Sequence, residues 1–311
     1  MTKVDGGVSP YSRYLYELQR AIRPPKRPPP PGAWDTQIHV YGDPDRFPYD
    51  AGRFYTPPPD TDFANADAMR RVLGFDRTVI VHTSVNGTDN RLLLDCLAQD
   101  PEHYRGVALV DNSLSNADLR TLHAAGVRGA RFQFKRNWGD GVAQEGKIHP
   151  HDDFLRIVER IGKLGWAVKL RTSGPELIEH EALFRKLSGV RVVIDHLGHL
   201  NMRLGVDQPA AQLIRDFLTS PDWWIQLSNG AKHSDAPYDD AVAVARSFIA
   251  VAPDRAIWAS DWPHVGYYKP VPNTTDLFEL LERYAPDPAQ YRRILVENPQ
   301  RLYGYDEPRS R

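Results

Sequence analysis

The chain has 311 residues, 41% hydrophobic and 25% charged, with a formal net charge of −1 at pH 7. That length suits one large α/β barrel or two modest domains. Near-neutrality leaves no bulk electrostatic case for nucleic acid or an anionic membrane as partner. The single cysteine, Cys96, excludes an intrachain disulfide and a cysteine-based zinc site and suits a reducing compartment. With no run of membrane-spanning length and no apolar signal-peptide core, the expectation is a cytoplasmic protein.

Residues 1–33 differ from the rest. YSRYLYELQRAI has the spacing of one short helix, and six prolines between Pro24 and Pro31 impose an extended segment after it. The expectation is an arm that wraps the domain or a neighbouring subunit, which would make a homo-oligomer. From Trp34 to the end at Arg311, short apolar runs alternate with helical spacing. The runs are WDTQIHV (34–40), TVIVHT (78–83), YRGVALV (104–110), RGARFQF (128–134), GWAVKLR (165–171), VRVVIDHLG (190–198), WWIQLS (223–228) and AIWASD (256–261). Among the intervening helices, NADLRTLHAAG opens with a capping box, Ser115 with Asp118, and closes on Gly126. Apolar strands with helical crossovers predict a parallel sheet covered on both faces, and eight of them predict a closed (β/α)8 barrel over 34–311. An open doubly wound sheet is the alternative, but no Gly-x-Gly-x-x-Gly follows any strand.

In a barrel of this kind chemistry gathers at the C-terminal ends of the strands. Seven of the eight runs end in polar groups. Gln37 and His39 share one side of the first strand. His82, Thr83 and Ser84 follow the second, and Arg131, Lys135 and Arg136 the fourth. Lys169 and Arg171 end the fifth, where Arg171 is free to pair with Asp195; His196 and His199 follow the sixth. Ser228, Asn229 and Lys232 follow the seventh, and Asp261 and His264 the eighth. In AIWASDWPHV the strand stops at Asp261, and Pro263 lacks the N–H needed to continue pairing.

WDTQIHV, IDHLGH, WASDWPH and ENPQRLYG together resemble the amidohydrolase superfamily, over about Trp34 to Tyr303. FPYDAGRFYTP, NGTDNRLLLD and GVRGARFQFKR resemble its branch of 2-pyrone-4,6-dicarboxylate hydrolase and related lactonases. The superfamily's His-x-His metal pair is Gln37-Ile-His39 here, and a neutral amide is a poor zinc ligand beside imidazole and carboxylate. The resemblance therefore implies a site without metal or other cofactor; a bound metal would have His39, His196 and Asp261 as ligands. His149-Pro-His151 mimics the missing pair but follows a glycine-rich loop, not a strand.

Lactone hydrolysis needs an activated water and stabilisation of the developing oxyanion. Asp261 is the expected general base, with His39, His196 and Gln37 polarising the carbonyl. By resemblance, Arg131, Lys135 or Arg136, and Lys232 hold substrate carboxylates, and Tyr55 adds a hydroxyl. Ser84 and His264 complete the expected substrate contacts. His199 stands where the pyrone hydrolase has arginine, and Lys169 is the cation that would replace that charge. The expected substrate is a small lactone bearing carboxylate or sulfonate groups. Two alternatives stand beside it. One is a sugar-acid lactone isomerase resembling galactarolactone isomerase, a branch with asparagine where this chain keeps Asp261. The other is a non-catalytic barrel that binds an anion.

Overall fold

Each of the eight apolar runs forms a strand, and the strands pair in parallel in sequence order, β1 to β8. They are β1 (Trp34–Ile38), β2 (Arg77–Val81), β3 (Tyr104–Ala108), β4 (Val127–Gln133), β5 (Ala167–Arg171), β6 (Val192–Ile194), β7 (Trp223–Leu227) and β8 (Ala256–Trp258). Helices alternate with them, so the architecture is a (β/α)8 barrel. The computed structural model describes residues 22–51, 53, 55–134, 151–265 and 273–304. Most of the helix expected in YSRYLYELQRAI, and His149 of the His-Pro-His sequence, lie outside them.

Strand period two divides the core. Val79, Val81, Val107, Ala167, Val193, Trp224 and Ile257 cluster with Trp34, Leu302 and Tyr303. These strand residues line the barrel interior, and the helix Asn298–Tyr303 contributes the last two. Ile80, Ala130, Phe132, Val168, Leu170, Ile194 and Ile225 point the other way and join the larger cluster under the helices. A residue two positions further along an interior strand enters the next layer up. Lys169 thus follows Ala167, Asp195 follows Val193, and Gln226 follows Trp224. All three are fully buried.

The helices begin and end as local chemistry dictates. Ser115 and Asp118 form the expected capping box at the helix Asn116–Ala124, and Gly126 follows at φ 102°, a conformation that favours glycine. The segment after Ile22 is tied to its own chain, chiefly through its arginines. Arg23 reaches Asp276 and Glu279, each at 2.7 Å, and the Arg27 guanidinium lies 4.4 Å above the Tyr291 ring.

The seam between β8 and β1 is closed differently from the seven regular ladders. One isolated bridge joins Ile38 to Trp262. The Asp261 amide donates to Gln37 O at 3.0 Å, and the His39 amide to Trp262 O at 2.7 Å. Side chains complete the stitching: Thr36 donates to Trp258 O at 2.7 Å, and one oxygen of Asp35 accepts from the amides of Gln37 and Ser260. The two segments so joined carry Gln37, His39 and Asp261.

Candidate active site

Asp261 is buried at the mouth and surrounded by donors. Its Oδ1 accepts from Gln37 Nε2 at 2.7 Å and lies 3.3 Å from His39 Nε2. Its Oδ2 accepts from Asn229 Nδ2 at 2.7 Å. Burial disfavours this carboxylate, but the facing His196 ring and the His39 and Asn229 contacts outweigh it. The group is held well below the ordinary carboxylate range. His39 donates through Nδ1 to Val81 O at 2.7 Å, which orients the ring and turns Nε2 toward Asp261. Burial lowers His196 to about 3, so its imidazole is neutral at pH 7.

The backbone around these groups is unusual. Asp261, His264, Asn229, His196 and His199 all have left-handed φ, between 44° and 61°. For residues other than glycine such conformations cost of order 1–3 kcal/mol each and persist where surrounding structure enforces them. Here the strain gathers around one carboxylate.

The cations form a second group. Arg131 Nε donates to Asp195 Oδ2 at 2.9 Å, and Lys169 Nζ lies 2.7 Å from Asp195 Oδ1. Asp195 therefore pairs with Arg131 and Lys169, not with Arg171 as the sequence suggested. The β4–β5 register accounts for this, placing Arg131 opposite Lys169 and Arg171 one layer higher, opposite Gln133. Burial raises the Asp195 pKa, but Lys169 and Arg131 outweigh it and hold the carboxyl below its ordinary value. Lys169 is fully enclosed and also donates to Gln226, so its charge balances Asp195 instead of reaching into the mouth. Burial, and then the neighbouring Arg131, bring the Arg171 guanidinium down to about 9. It remains charged at pH 7.

The remaining expected residues spread around this centre. Tyr55 shares a 2.7 Å hydroxyl contact with Tyr41. Lys232 is buried in the short turn Gly230–His233. His199 Nδ1 is 3.4 Å from His233 Nε2, and the His264 ring is anchored on Thr274 at 2.7 Å. Ser84 is exposed at the start of the turn Ser84–Asn86. Lys135 and Arg136 lie outside the described residues. Participants not singled out from sequence as site residues include Asn229, Arg171, Asp195 and Gln226. Asn229, Arg171 and Asp195 stood among the strand-end groups. The signal for Gln226 is a polar residue interrupting the apolar run WWIQLS.

A divalent metal, implied for His-x-His barrels, does not fit these residues. Gln37 Nε2 is 3.3 Å from His39 Nε2, 3.2 Å from His196 Nε2 and 2.7 Å from Asp261 Oδ1. The amide nitrogen, a hydrogen-bond donor, sits where the three candidate ligand atoms converge. Among the described residues, no group of three or more His, Cys, Asp or Glu side chains is arranged to hold a metal ion.

A family model described as Amidohydrolase matches residues 34–305. A 4-sulfomuconolactone hydrolase from Hydrogenophaga intermedia is 36% identical over 92% of this chain and 93% of its own length. A 2-pyrone-4,6-dicarboxylate hydrolase from Comamonas testosteroni is 35% identical over 89% of this chain and 92% of its own. A D-galactarolactone isomerase from Agrobacterium fabrum is 30% identical over 88% of this chain and 91% of its own.

Proposed function

The chain belongs to the amidohydrolase family, and from that premise we propose that it hydrolyses a small anionic lactone without a resident metal. The observation that carries the reading is the ionised Asp261, held by Gln37, Asn229 and His39 at the barrel mouth. Asp261 accepts a proton from the attacking water as its oxygen bonds to the carbonyl carbon; collapse of the tetrahedral adduct then breaks the ring C–O bond, and the same proton passes to the departing ring oxygen. General-base catalysis of this kind contributes typically ~10²–10⁴-fold. His39, His196 and the Gln37 amide face the same point and stabilise charge on the carbonyl oxygen. Asn229 keeps Asp261 aimed.

Arg131, Arg171 and Lys232 supply the substrate preference. Arg131 and Arg171 approach one another on neighbouring strands, a crowding of like charge that a bound anion relieves. A guanidinium can take a carboxylate or sulfonate through two parallel hydrogen bonds, whereas Lys232 acts as a point charge. Lys135 and Arg136 follow β4 in the chain and belong to the same set, as do Tyr55, Ser84, His199 and His264 around the opening. The relatives named for sulfomuconolactone and pyrone dicarboxylate are almost equally similar, so both chemistries belong in the assay. Retention of Asp261 favours hydrolysis over the isomerase reading, because a base that activates water is in place.

No helix of the described residues is long and apolar enough to cross a membrane. The buried free thiol of Cys96 supports a cytoplasmic setting.

The test follows loss of ultraviolet absorbance from 2-pyrone-4,6-dicarboxylate, and ring opening of 4-sulfomuconolactone, with chelator-treated protein. Turnover of either without added metal is the expected result. Activity restored only by zinc would overturn the metal-free site. A rearranged lactone seen by NMR would overturn hydrolysis in favour of isomerisation.

A further inference from the structure

We propose that Lys169 and Gln226 are positioning residues that set which way the Gln37 side-chain amide faces. A glutamine amide is nearly symmetric in shape, so packing alone does not distinguish its NH2 from its oxygen. Here the distinction comes from a chain of hydrogen bonds with fixed ends. Lys169 can only donate, and it donates to Gln226 Oε1. Gln226 Nε2 therefore faces forward and donates to Gln37 Oε1 at 3.1 Å. That leaves Gln37 Nε2 to donate to Asp261 Oδ1 at 2.7 Å, and an ionised carboxylate can only accept.

Reversing either amide would bring two acceptors or two donors together inside a fully buried site, where unmatched polar contacts are most unfavourable. Lys169 Nζ is held by Asp195, 2.7 Å away, and Asp195 is in turn shared with Arg131. The second N–H of Gln226 goes to Ser228 Oγ at 2.9 Å, which lies 2.8 Å from His196 Nδ1. One buried glutamine thus braces both the Gln37 amide and the far side of the His196 ring. Neither Lys169 nor Gln226 touches the reacting atoms.

The catalytic consequence rests on the hydrolase reading, while the orientation of the amide does not, and the test separates them. Gln226→Glu keeps the shape and the contact with Lys169, but an ionised glutamate cannot donate to Gln37. Gln37 then lies between two acceptors, so its NH2 can serve residue 226 or Asp261 but not both, and the fixed orientation is lost. The expected result is a kcat lower by at least about 100-fold, the scale of losing one positioned donor, with KM within about threefold. In a Gln37→Leu background the same substitution should change kcat by less than about threefold, because its route of action is gone.

The ¹H–¹⁵N resonances of the Gln37 side-chain amide, assigned by their loss in Gln37→Leu, should move in Gln226→Glu. Unchanged resonances, or an equal loss of kcat in both backgrounds, would overturn the proposal. If the wild type opened no lactone, the functional reading would fall and the amide spectrum would still decide the relay. Should Gln226→Glu not fold, Gln226→Met removes the same donor without adding charge and is read in the same way.

Discussion

The side-chain nitrogen of Gln37 lies 2.7 Å from Oδ1 of Asp261, across the one barrel seam that lacks a regular ladder. A neutral amide fills the point toward which two imidazoles and a carboxylate are directed. The arrangement exchanges a cation's pull on that carboxylate for two hydrogen bonds, one from Gln37 and one from Asn229. Asp261 is left ionised and oriented.

Asp261→Asn is expected to lower kcat by about 10²–10⁴-fold, the range of a lost general base. Affinity for a product-like diacid should change little, since the cations that hold it are untouched. Steady-state kinetics paired with calorimetric titration checks this. Retained kcat would remove Asp261 from the base role.

Gln37→His is expected to admit zinc. It replaces the donor at the convergence point with an imidazole acceptor and restores four ligands of the type zinc prefers. Metal analysis after dialysis should find close to one zinc per chain in the variant and none in the wild type. Stoichiometric zinc in the wild type would show that Gln37 does not exclude it.

Asp35 sets a stability dependence on pH. Burial pushes its carboxyl up to about 7, against hydrogen bonds from Ser260 and Gln37. Between about pH 4 and pH 7 the folded chain therefore holds a proton that the unfolded chain releases. With fewer protons bound in the unfolded state, stability falls as pH rises through that window. Asp35→Asn mimics the protonated form and keeps the acceptor for both amides. It should be more stable than wild type at pH 8, by up to about 4 kcal/mol at ~1.4 kcal/mol per pH unit, and nearly equal to it at pH 4. Urea unfolding at the two pH values decides; a constant difference would contradict the raised carboxyl.

Arg131→Ala should raise KM for an acidic lactone by about 10–100-fold, the worth of a hydrogen bond to a charged group. A neutral lactone should show no such change. Parallel assays on the two substrates separate recognition of charge from general damage, and an equal effect on both would count against an anion contact.

Burial also holds the imidazoles of His196 at about 3 and His264 at about 4. Each is depressed below its unfolded value, so the unfolded chain takes up protons first as pH falls through about 6.5. That stability is fully present above this point and is lost toward pH 4. Histidine ¹⁵N resonances of His196 should accordingly stay constant from pH 5 to pH 8. A midpoint inside that range would show a charged ring.

Much of this protein was determined by its sequence alone, because the relevant signals are local. Eight short apolar runs with helical spacing between them specify a barrel, as alternating strands and helices must cover both faces of a parallel sheet. The Ser115–Asp118 capping box and the polar ends at His39, His196 and Asp261 depend only on residues near in the chain. Tertiary structure alone decided how the interior groups pair. Asp195 takes Lys169 and Arg131 in place of Arg171 because strand register, set by the packing of the whole barrel, puts Arg171 a layer higher. Gln226 reaches Gln37 across the interior, from β7 to β1, a meeting that exists only once the ring has closed. No periodic pattern in a single chain encodes such a contact, since its energy comes from enclosure away from water.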